Sequence, residues 1–143
     1  MDLKSIKDDI DTLGKDLSEL TNDISKVIPI DTLREVSEAI TTLSITIKDL
    51  RYDSNTESNM YYIWHRLNDN KNKLLYSVDY FNSYILNKLT NGSSSDKEVL
   101  NGSSYMISSG ISRALVITIE MDIAKLHIDY YINNHFKILL PEQ

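Results

Sequence analysis

Residues 2–29 read DLKSIKD, DIDTLGK, DLSELTN and DISKVIP, one seven-residue phrase written four times without an insertion. Each repeat opens with Asp and an aliphatic residue. Leu3, Ile6, Ile10, Leu13, Leu17, Leu20, Ile24 and Val27 alternate three and four apart. That alternation draws one apolar stripe along an α-helix, the kind of stripe a helix uses to lie lengthwise on other helices. A first helix is therefore expected over residues 1–28. Asp2, Asp9, Asp16 and Asp23 line one edge of the stripe, while Lys7, Gly14 and Thr21 line the other. Two antiparallel copies of this helix would set Asp rows against each other, so the row is expected to face water or a basic partner. Gly14 costs a helix interior about 1 kcal/mol relative to Ala and marks either a close contact or nothing.

Pro29 ends or kinks this helix, because it has no amide hydrogen and restricts the residue before it. The next stripe starts out of register at Leu33 and continues through Val36, Ile40, Leu43, Ile47 and Leu50. Thr32–Glu35 has the form of a capping box, which favours a fresh helix over 32–51 and a helical hairpin over a bent rod. The flanks of this second stripe are small and uncharged (Ser37, Ala39, Ser44, Thr46), which suits a bundle better than a two-stranded coil. Residues 41–47, TTLSITI, are rich enough in β-branched residues that a strand is the competing reading.

A third helix is expected over 60–89, with the stripe Met60, Trp64, Leu67, Lys71, Leu74, Val78, Phe81 and Ile85. Tyr62, Tyr76, Tyr80 and Tyr84 lie on its far side. Tyrosine joins a flat apolar body to a polar tip and is common in protein interfaces, so these residues either pack on the bundle or meet a partner. Residues 90–104 carry NGSS twice and read as a flexible loop. A final helix is expected over 112–139. It has two apolar stripes, Val116, Ile119, Ile123, Leu126 and Tyr130, and Ile117, Met121, Ala124, Ile128 and Tyr131. A helix apolar over most of its circumference is usually central, and a strand at 114–119 is the alternative.

Between those stripes stand Arg113, Glu120 and His127, seven apart and so about 10 Å from one another along the axis. A carboxylate placed there needs a partner, and Lys71, the polar member of the third stripe, is the candidate. The four residues read first as a polar layer that fixes packing. The second reading is a pocket in which His127 and Glu120 act as acid–base groups or ligands.

The composition bounds the function. The 143 residues are 41% apolar and 25% charged, with a net charge of −6 and no cysteine. An acidic surface opposes sequence-independent binding to nucleic acid, which needs clustered Lys and Arg. Disulfides and thiolate metal sites are excluded, and no cofactor is implied. The Glu-x-x-His and His-Glu-x-x-His metal patterns, Gly-rich phosphate loops and G-x-S-x-G do not occur. The start of the chain shows no secretory signal, and its longest apolar run falls short of the roughly 20 residues of a membrane helix. The expectation is one soluble, cytoplasmic, all-α domain, a four-helix bundle with an N-terminal heptad hairpin and a central last helix. Such a chain would act without catalysis, self-associating as a homo-oligomer or binding a partner protein through the heptad face of the first helix, with its Asp row, and the tyrosine face of the third. The alternatives are a membrane-acting helical protein and a small enzyme using Glu120 and His127.

Overall fold

The structure, a computed structural model, describes residues 3–25, 31–48 and 56–135. All five elements found there are α-helices: α1 (Leu3–Ile24), α2 (Asp31–Lys48), α3 (Thr56–Asn91), α4 (Ser94–Gly102) and α5 (Ser104–His135). Asp2, Val27 and Pro29, and with them the hairpin turn expected near Pro29, lie outside the described residues.

The heptad stripe of α1 packs into the core from Ile6 to Ile24, with Leu3 at its margin. Ile6, Ile10, Leu13, Leu17, Leu20 and Ile24 are buried, as are Leu33, Val36, Ile40, Leu43 and Ile47 of α2. The two helices run antiparallel. Ser18 faces Ser37 at 3.4 Å between hydroxyls, the Ser44 hydroxyl donates to Asp11, and the Lys7 ammonium donates to the Lys48 carbonyl at 3.3 Å. Residues 41–47 are helical. Thr41, Thr42 and Thr46 each donate to the carbonyl four residues back, at 2.9–3.0 Å, which satisfies their hydroxyls without leaving the helix.

α1 also packs along α5, α3 packs on α5 and α2, and α4 touches α3 and α5. On α3 the buried set is Met60, Ile63, Leu67, Leu74, Val78 and Phe81, with Trp64 and Ile85 packed at its margin. Asn70 and Ser77 are buried too, each bonded to the carbonyl four residues earlier. On α5 the stripe Ile117, Met121, Ala124, Ile128 and Tyr131 faces this core. Residues 114–119 are helical.

Two expectations are corrected here. Residues 90–104 are not a loop: α4 occupies most of them. Ser93 caps it, its hydroxyl accepting from the Asp96 amide at 3.1 Å while the Asp96 carboxylate accepts from the Ser93 amide at 3.2 Å. That reciprocal pair satisfies two amides that would otherwise hold the start of a short helix open. Lys88 stands 3.8 Å from Asp96, and Leu100 is buried against the rest of the chain. The Ser93 amide bond and Lys88 together hold the Asp96 carboxyl below its ordinary range.

The last helix is also not central. α5 starts eight residues earlier than expected and keeps only one of its two apolar stripes inside. Its entry is set by Gly110, where a Cβ would fall 2.3 Å from Cδ1 of Ile24. The missing side chain lets the end of α1 close on the first turns of α5.

Gly14 is different. A Cβ there would meet Cγ2 of Ile40 at 3.9 Å, an ordinary contact. Gly14→Ala should therefore raise stability by about 1 kcal/mol through helix propensity alone. A urea melt showing a loss would mean that α1 and α2 approach more closely at Gly14 than described.

Candidate functional site

The Asp row of α1 lies along the edge of α5, with Asp9 and Asp16 half-buried and Asp23 exposed. It meets α5 in an antiparallel ladder whose rungs repeat every seven residues on both helices. Asp23 accepts from the Arg113 guanidinium at 2.8 Å. One heptad back on α1 and one forward on α5, Asp16 faces Glu120. One heptad further, Nδ1 of His127 donates to Asp9 at 2.5 Å. Two residue sets that looked separate in the sequence, the Asp edge and the polar line of α5, are thus two sides of one contact.

The middle rung sets one carboxyl against another. Partial burial and the facing Asp16 carboxylate push Glu120 up to about 7 from an ordinary 4.5. A proton shared between two such groups relieves the repulsion of a doubly charged pair. Glu120 also borders a shallow cleft of about 360 Å³ with Asp16, Glu19, Ser112 and Arg113. His127 does not line that cleft.

Lys71 does not reach Glu120. Its ammonium lies 2.8 Å from the Asp122 carboxylate, on the side of α5 that faces α3. Lys125 joins this cluster, 3.5 Å from Asp122, donating to Asn68 at 2.8 Å and sitting 4.7 Å above the Trp64 ring. The hydrogen bond from Lys71 is the main reason the Asp122 carboxyl lies below its usual range. Lys71 belongs to the α3–α5 seam, whereas Arg113, Glu120 and His127 turn to α1. None of these four is fully buried. The expected single polar layer is two half-buried seams on opposite flanks of α5.

Between residues 115 and 130 the outward stripe of α5 is apolar and open to solvent. Leu115, Val116, Ile119, Ile123, Leu126 and Tyr130 of α5 are 42–64% exposed. They cover the outward side of the helix over four turns with no charged residue among them. On α3, Tyr62, Tyr76 and Tyr80 are exposed, and Tyr84 is half-buried between the Tyr80 ring and Lys88. No helix among the described residues is long and apolar enough to cross a membrane. Comparison with protein-family models, curated proteins and solved structures gives no match.

The middle rung predicts a pH response. A folded state that holds a proton on Glu120 up to about pH 7 is favoured below the unfolded value of 4.5 and loses that advantage as pH rises through 7. Glu120→Gln keeps the neutral form at every pH. It should match the wild type at pH 4.5 and exceed it at pH 8 by about 1–2 kcal/mol, allowing for solvent screening at a half-buried site. Chemical denaturation at both pH values checks this; an unchanged pH slope would show that Glu120 is solvated as an ordinary carboxylate.

Proposed function

We propose that the chain is a non-enzymatic interaction protein, an acidic four-helix bundle whose binding surface is the outward stripe of α5. The observation that carries this reading is the exposure of six contiguous apolar side chains on a helix that is apolar on both faces. Such helices are normally covered on both, and exposed apolar patches of this extent on soluble proteins mark contact sites. The α1 stripe, the first candidate from the sequence, is spent on the chain's own core. The Asp row is spent on α5. The exposed tyrosines of α3 stand as a second, smaller contact face, suited to a partner by their flat apolar rings and polar tips.

The other two readings draw less support. A membrane-surface helix normally sets Lys and Arg beside its apolar face, whereas Asp129 and the Asp122 cluster flank this one. An acid–base pair needs its two groups directed at one substrate, and Glu120 and His127 are each turned to a different aspartate.

A photo-crosslinking side chain placed at Leu126 tests the proposal in cells producing the chain. One discrete protein adduct is expected from this position, and none from Lys73, which is exposed elsewhere on the bundle. The same faint smear from both positions would show that the stripe has no defined partner.

A further inference from the structure

We propose that the partner of the α5 stripe is a second copy of the chain, paired antiparallel about a twofold axis that crosses α5 between Ile119 and Ile123. This rests on the reading of α5 as the contact surface and names what covers it.

The first support is the pattern. Val116, Ile119, Ile123, Leu126 and Tyr130 are spaced three and four apart, so the outward stripe is itself a short heptad seam. In an antiparallel pair the two kinds of seam position alternate across the contact. Ile119 then meets the partner's Ile123, and Val116 meets the partner's Leu126. Tyr130 falls on the partner's Ser112, so the largest side chain of the seam sits over the smallest. Twofold symmetry repeats each of these contacts, and every layer is filled from residues already present. An isologous contact of this kind closes on itself and stops at two chains.

The second support is the area. The six exposed side chains leave on the order of 600 Å² of surface per chain in water. Covering them completely on both chains would remove at most about 1,200 Å², the lower edge of the range for specific protein interfaces. Neighbouring side chains at the rim would add to it.

The third is charge. Two chains of net charge −6 repel, and a shared surface must keep carboxylates out of its centre. The outward stripe has none. Of the two carboxylates beside its middle, Asp122 is paired within its own chain by Lys71 and Lys125, and Glu120 is half-buried on the flank that faces α1. Asp129 stands exposed at the rim, where water screens it.

The test uses the full chain, whose lack of cysteine allows a single spin label to be placed cleanly. Sedimentation equilibrium at tens of micromolar should give twice the chain mass. Ile119→Lys, a change at an exposed helical position, should weaken association at least 100-fold while leaving helix content and the urea midpoint of the monomer unchanged. A spin label at Asn134→Cys should report about 40 Å between labels, since antiparallel pairing places the two ends of α5 at opposite ends of the dimer. A single-chain mass throughout, or a label separation below about 20 Å, overturns the proposal. If the chain is monomeric yet Leu126 still captures one other protein, the second copy is wrong and the interaction surface stands. A monomer with no adduct at Leu126 removes both.

Discussion

The ladder between α1 and α5 is the contact on which the arrangement depends. An aspartate every seventh residue on one helix meets Arg113, Glu120 and His127 at the same interval on an antiparallel neighbour. Matching intervals matter more than any one rung. A shift of one residue would turn the Asp row away from all three partners and carry the apolar stripes off the core with it. Each rung taken alone is half-exposed and worth little, as surface ion pairs generally are. Together they specify which helix lies beside α1 and in which direction, while burial of Ile6 through Ile24 supplies the bulk of the stability.

That choice has a consequence for α5. Its inner stripe closes the core, one flank is taken by the Asp ladder, and the other by Lys71, Asp122, Lys125 and Trp64. Only the outward side is left, and it is the side that carries Val116, Ile119, Ile123, Leu126 and Tyr130. The middle rung makes the same seam sensitive to pH, because Glu120 and Asp16 tolerate each other best with a proton between them. Stability and the geometry of the outward face are therefore set by the same helix.

Much of the helical architecture was legible in the sequence because three-and-four spacing has one physical meaning when repeated over many turns. Apart from the half-buried Leu3, the described residues of the α1 and α2 stripes are all buried, and the strand alternatives at 41–47 and 114–119 give way to helix. The capping pair at Ser93 and Asp96 was harder to see, since the NGSS phrase around it signals turns more strongly than a nine-residue helix signals itself. The partner of Glu120 is hidden in the sequence for a different reason. A buried carboxylate suggests a cation, and Lys71 was the odd cation in a neighbouring stripe. The better signal was periodicity: Arg113, Glu120 and His127 share their interval with the Asp row and with nothing on α3. Which stripe of α5 would face outward could not be read from α5, because both are apolar. The charged flanks decided it, through partners on two other helices.

The central claim is that the Asp row of α1 is answered by α5 of the same chain. Cysteines at Asp16 and Glu120, in a chain with no others, joined by a short bis-maleimide at high dilution, test it most directly. An efficient cross-link within one chain, migrating as a compact monomer, is expected. A cross-link only between chains, or none under conditions where both thiols react singly, would contradict it.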